Sequence, residues 1–179
     1  MDLARDLELL PGVRLVALRR TTDSRGSFVK TYQRSVFEAL GEPFDFREEF
    51  YSFSRRDVLR GMHFQLPPHD HAKLVHCPVG AVLDVLLDLR AGAGQGRVAS
   101  VVLSADDPSL LVIPAGIAHG FKSLQDNTMM VYKTSAEHAP THDAGIRWDS
   151  FGFDWGCDAP LLSQRDATHP ALADFSSPF

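Results

Sequence analysis

Hydrophobic positions in this chain come in short bursts that alternate with polar residues, and few recur with a helical period. The runs cover 13–18, 27–32, 44–53, 58–65, 73–77, 81–89, 97–103, 110–113, 120–124 and 129–134. Turn formers punctuate them: Pro67-Pro68-His69-Asp70, Pro78-Val79-Gly80, Asp106-Asp107-Pro108 and Pro114-Ala115-Gly116. Only 35–40, and a turn near the carboxyl end, read as helix. Many short strands at close spacing with so few helices predict an all-β fold of antiparallel strands, and a two-sheet jelly roll is the expected architecture. The tail from Ser163 to Phe179 is expected to be a loop packed at the barrel mouth.

At 179 residues the chain is long enough for one domain with a sizeable core, and no break in composition suggests a second. A formal charge of −5 and a pI near 5.9 argue against nucleic acid or an anionic membrane as partner, because both require a basic face. Asp2, Asp6 and Glu8 interrupt any apolar signal region, and no apolar run reaches membrane-spanning length. A soluble, cytoplasmic protein is expected. Cys77 and Cys157 lack a CxxC spacing and are expected to be reduced, with Cys77 a small core residue.

The segment Arg60-Gly61-Met62-His63-Phe64-Gln65 concentrates candidate chemistry. Strand alternation predicts Arg60, Met62 and Phe64 on one face and Gly61, His63 and Gln65 on the other. A metal site has to be weighed in a chain with eight histidines, but His63 and His119 alone supply too few convergent ligands for a divalent cation. The other use of His63 is as a general base, since imidazole accepts a proton near neutral pH. Such a base needs an orienting carboxylate, for which Asp166 is the candidate. Taken alone, His63 reads slightly better as a satisfied interior histidine.

Seven motifs change that balance. They are Asp23-Ser24-Arg25-Gly26-Ser27-Phe28, the segment 58–65, Lys73-Leu74-Val75, the segment 84–90, the segment 113–121, Tyr132-Lys133-Thr134 and Ser163-Gln164-Arg165-Asp166. In this order and spacing the chain resembles the dTDP-4-dehydrorhamnose 3,5-epimerases, from about Val13 to Phe175. The resemblance implies a cupin-type jelly-roll homodimer that needs no metal or redox cofactor. It implies epimerisation of a nucleotide-linked 4-keto-6-deoxyhexose at carbons 3 and 5, in deoxysugar or surface-polysaccharide assembly. By matching position, His63 resembles the base, Asp166 its dyad partner, Tyr132 the acid and Lys73 the group beside the keto oxygen. His119 resembles a substrate ligand, and Arg25 and Arg60 resemble the residues that grip the pyrophosphate. Asp84, Asp88 and Arg90 also match, but internal ion-pair or turn roles suit them better. The amino-terminal residues 1–35 are implied to form an arm that completes the partner subunit's pocket with Arg25, and 160–179 a segment over the mouth.

The chain departs from the family pattern where the nucleotide would be recognised. Lys30 stands where a glutamate is usual, Glu48 and Phe50 where glutamine and asparagine are usual, and His138 where a tyrosine would stack on thymine. Asp143 replaces a glutamate and Arg165 a lysine. These positions are expected to contact substrate, and the carrier is expected to be CDP, GDP or UDP as readily as dTDP. Competing readings are inversion at a single centre, a ketoisomerase using the same enolate, and a non-catalytic sugar-nucleotide-binding jelly roll.

Overall fold

The computed structural model describes residues 6–39 and 44–179. Its strands are β1 (Asp6–Leu10), β2 (Val13–Ala17), β3 (Arg20–Asp23), β4 (Gly26–Val29), β5 (Glu48–Ser54), β6 (Leu59–Gln65), β7 (Lys73–Val79), β8 (Ala81–Asp88), β9 (Val98–Ser104), β10 (Ser109–Ile113), β11 (Ile117–Ser123), β12 (Thr128–Thr134) and β13 (Asp143–Gly145). Two helices, α1 (Arg34–Ala39) and α2 (Gln164–Ala167), and a 3-10 turn at Leu172–Asp174 complete the described elements. The expected helix at 35–40 is α1, with Leu40 lying outside the described residues. No described helix is long and apolar enough to cross a membrane.

The strands form a six-stranded sheet, ordered β1-β2-β10-β7-β12-β5, and a five-stranded sheet, ordered β13-β6-β11-β8-β9, with β3-β4 as a separate hairpin. This is the two-sheet jelly roll that the sequence predicts. Alternation along each strand builds three apolar layers. Val75, Cys77, Met130 and Tyr132 of one sheet meet Val82, Leu86 and Phe121 of the other in the central layer. On the outer side of the five-stranded sheet, Val85, Leu87 and Leu89 of the β8 region pack under Trp155, Leu172, Phe175 and Phe179. On the outer side of the six-stranded sheet, Leu74, Leu110 and Val112 are covered by Phe37 of α1 and by Phe44. Because β8 is covered on both faces, it reads as a nearly continuous apolar run. Each fully buried Leu, Val or Phe contributes roughly 1.5–3 kcal/mol.

One irregularity shapes the site. Between β6 and β11 the register passes from His119 opposite His63 to Phe121 opposite Arg60, so Gly61 and Met62 together face Gly120. This is a β-bulge, which reverses strand alternation locally. A Cβ on Gly61, whose φ is 143°, would lie 2.5 Å from Gly120 Cα. A Cβ on Gly120 would lie 2.7 Å from Met62 Sδ and 2.9 Å from the Arg60 carbonyl oxygen. Both glycines are therefore required by close approach of the two backbones. The bulge also corrects the sequence-based alternation: Arg60 and His63 face the same cavity, not opposite sides of the sheet.

Strands β1, β3 and β13 do not stand out in the sequence pattern. Arg20-Thr21-Thr22-Asp23 is wholly exposed, and Asp143-Ala144-Gly145 is three residues whose pairing is supplied by β6. The tail from Ser163 to Phe179 is not a simple loop. Its α2 stands at the cavity, where Arg165 lines the wall, whereas Phe175 and Phe179 pack edge-on against Phe64 in the outer layer.

Candidate active site

Between the two sheets lies a cavity of about 410 Å³. Arg60, His63 and Gln65 of β6 and His119 of β11 form one wall; Glu48, Phe50 and Ser52 of β5, Lys73 of β7 and Tyr132 and Thr134 of β12 form the facing wall. His138, Asp143 and Arg165 lie at the rim. Every candidate catalytic or substrate-binding residue from the sequence lines this cavity except Asp166, Arg25 and Lys30.

Asp166 stands directly behind the wall. Its Oδ1 is 2.7 Å from His63 Nε2, and the carboxylate is buried while the imidazole remains partly open to the cavity. Local sequence explains its placement: Ser163 caps α2 by accepting a hydrogen bond from the Asp166 amide at 3.1 Å. Burial works to raise the Asp166 pKa, but the hydrogen bonds from His63, Ser163 and the Gly61 amide outweigh it and hold the carboxyl below its ordinary value. An ionised carboxylate can only accept, so His63 Nε2 carries the proton and Nδ1 keeps a lone pair. That tautomer is the one a cavity base needs.

Lys73 is buried and donates to the His63 carbonyl oxygen at 3.0 Å. Burial pushes its pKa down to about 8, so the ammonium is still predominantly charged at neutral pH. Tyr132, on the opposite sheet from His63, is buried with its ring stacked on Phe50 at 4.8 Å between centroids. Burial raises the phenol pKa well above its ordinary value, which keeps the hydroxyl protonated. His119 is held by Asp84, with Nε2 to Oδ2 at 2.8 Å, and both are buried. Burial raises the Asp84 pKa against the pull of His119 and Lys73. Asp84 thus has the internal role expected of it, as does Asp88, which is paired with Arg90 at 2.7 Å.

At the rim, Glu48 accepts from the His138 amide at 2.6 Å, and Arg165 pairs with Asp143 at 2.7 Å. Arg60 donates to Ser54 Oγ and to the Phe53 carbonyl oxygen, both at 3.1 Å. One face of Phe50 is taken by Tyr132, so at most its other face is open to a ligand.

Arg25 and Lys30 lie away from their own chain's cavity. Arg25 sits at the tip of the β3–β4 hairpin, 88% exposed and paired with Asp23, and Lys30 is exposed just beyond β4. Phe28 on the same hairpin is 63% exposed.

Three residues received no role from the sequence. Gln65 spans the site, donating to the His69 carbonyl oxygen at 2.7 Å and accepting from the Ala139 amide at 2.7 Å. His71, 3.0 Å from Gln65, has its pKa lowered to about 4 chiefly by burial. His169 lies against the dyad, its Nε2 3.7 Å from Asp166 Oδ1 and its ring 5.7 Å from that of His63. The signal for His169 was its position three residues after Asp166, the spacing that places two side chains on one side of a helical turn.

Comparison with known proteins adds to this geometry. The sequence model of the dTDP-4-dehydrorhamnose 3,5-epimerases matches residues 8–174. The dTDP-4-dehydrorhamnose 3,5-epimerase of Pseudomonas aeruginosa is 41% identical over 170 residues, covering 92% of this chain and 93% of that relative. The Shigella flexneri enzyme of the same name is 37% identical over 169 residues, with the same coverage of 92% and 93%. The crystal structure of the Bacillus anthracis dTDP-4-dehydrorhamnose 3,5-epimerase with TDP and pyrophosphate bound superposes with a TM-score of 0.90 at 31% identity, covering 96% of this chain and 99% of that one.

Proposed function

Because the chain belongs to the dTDP-4-dehydrorhamnose 3,5-epimerase family, we propose that it is a cofactor-independent isomerase that inverts carbons 3 and 5 of a nucleotide-linked 4-keto-6-deoxyhexose. The observation that carries the reading is a histidine on one sheet, backed by an aspartate of α2, facing a protonated, buried tyrosine on the other sheet, with a buried lysine lining the same cavity. The 4-keto group acidifies the hydrogens on both flanking carbons, because each carbanion is delocalised as an enolate. His63 Nδ1 removes a proton from one face of the sugar, and the resulting imidazolium is stabilised by Asp166. The Lys73 ammonium, with His119 beside it, balances the charge that develops on the enolate oxygen. Tyr132 returns a proton from the opposite face, which inverts the centre. Arg60 binds the pyrophosphate.

In the same reading the protein works in the cytoplasm as a homodimer. The β3–β4 hairpin of each chain serves as an arm that brings Arg25, Phe28 and Lys30 to the partner's cavity. Exposure of Arg25 and Phe28, and the absence of the hairpin's residues from their own cavity, support that use. Residues 1–179 act as one epimerase domain. Glu48, Phe50 and His138 make a rim that differs from the family pattern, so the carrier is not fixed to thymidine. Thermal-shift titration with dTDP, CDP, GDP and UDP reads this directly: similar or larger shifts with the other three fit an altered carrier, and a clear preference for dTDP contradicts it. Exchange of the carbon 3 and carbon 5 hydrogens in deuterium oxide tests the reaction itself.

A further inference from the structure

His63 Nε2, Asp166 Oδ1 and His169 Nε2 converge, all within 4.8 Å of one another. The first two are accounted for by the dyad. His169 is not: its side chain is only 11% exposed, and Nε2 is buried without a hydrogen-bond partner among the described residues. A buried ring nitrogen left without a partner is costly, because it has given up its hydrogen bonds to water. The seat that holds it there is shaped for the ring. Gly145 of β13, opposite His63 in the sheet, would place a Cβ 2.5 Å from His169 Nε2 if it carried one. Glycine at 145 thus admits an imidazole whose Nε2 lies 3.7 Å from the dyad carboxylate.

We propose that His63, Asp166 and His169 form an inhibitory site for a borderline divalent cation, zinc first, that switches off the catalytic dyad. Two imidazole nitrogens and one carboxylate oxygen are a donor set that holds zinc in open, three-ligand sites, and a fourth position remains for water. The metal takes the place of the proton between His63 and Asp166. Bonds form from the cation to Nε2 of both histidines and to Oδ1, with no change of oxidation state. The proton on His63 Nε2 moves by way of solvent to Nδ1, because a neutral imidazole ligated at one nitrogen carries its proton on the other. The nitrogen that must abstract from the sugar then has no lone pair. The binding claim stands on the geometry alone, whereas the inhibition claim rests on His63 being the base.

Neither of these needs the other to be tested. Full-length protein stripped with a chelator is titrated calorimetrically with zinc chloride, and cobalt(II) is added in parallel to read ligand-field bands in visible absorption. The wild-type chain binds one zinc, and His169→Gln, which keeps the side chain polar and near in size but removes a direct ligand, weakens that binding by more than the roughly 10–100-fold that loss of an outer-shell partner costs. His142→Ala, in the separate His69–His142 ring pair, leaves it unchanged. No zinc uptake by the folded wild-type chain, equal affinity in His169→Gln, or loss of binding in His142→Ala instead would each overturn the site. In the hydrogen-exchange assay, zinc stops wild-type turnover reversibly, and His169→Gln keeps turnover but requires correspondingly more zinc for inhibition. Zinc-bound protein that still exchanges overturns the switch but not the site. Stripped protein that never exchanges indicts the epimerase reading and leaves the binding result intact.

Discussion

At the scale of single residues, the site separates groups that do chemistry from groups that hold them. His63 touches the cavity while Asp166 behind it fixes the tautomer, so His63→Asn is expected to abolish hydrogen exchange while leaving nucleotide binding, read by thermal shift, nearly unchanged. Lys73 gives a pH dependence whose two signs differ. Its ammonium is pushed down to about 8 by burial, so exchange falls as pH rises through that value and the enolate loses its counter-charge. Folding responds in the other direction. Between about 8 and the ordinary 10.5 the unfolded chain holds a proton that the folded chain does not, so this group's contribution to stability rises with pH there. Loss of turnover above pH 8 without loss of the thermal transition on Lys73's account separates the two. The catalytic residue types were legible in the sequence because each matched a position in a motif; His169 was not, because it belongs to none of the seven motifs and its closeness to the dyad arises from the turn that follows α2.

At the scale of elements, the site depends on a bulge. Two residues of β6 oppose one of β11, and this brings Arg60 and His63 to the same wall. Gly120→Ala is expected to drive a methyl against Met62 Sδ and the Arg60 carbonyl and to destabilise the fold by about 1–3 kcal/mol in urea unfolding, with exchange lost more than stability because Arg60 and His63 shift together. An unchanged midpoint and rate would show that the close approach is not needed. This element also marks where period-two reasoning stops. Strands such as β8 and β12 were evident as apolar runs, whereas the phase reversal within β6 is set by a neighbour's backbone and leaves no mark beyond two distant glycines, Gly61 and Gly120. In the same way β3 has no apolar alternation to reveal it, and β13 exists only because β6 offers it an edge.

At the scale of the whole molecule, one chain supplies a cavity and an exposed hairpin that does not use it. If the hairpin serves the partner, mixing two inactive variants restores activity. An Arg25→Ala chain retains a sound dyad and a His63→Asn chain retains a sound arm, so a mixed dimer contains one complete site. Co-refolding the two is expected to regain exchange that neither shows alone, and the absence of any gain would place Arg25 in its own chain's site or in none. Architecture was the most legible property of all, since a succession of short alternating runs permits little besides a two-sheet fold; the pairing of subunits leaves no comparable periodicity in one chain. The most direct test of the central claim is NMR of nucleotide-linked 4-keto-6-deoxyhexoses in deuterium oxide with catalytic amounts of the protein. Enzyme-dependent loss of the hydrogen signals at carbons 3 and 5, abolished in His63→Asn, is the predicted result. Folded protein that binds the nucleotide yet washes out neither hydrogen would contradict it.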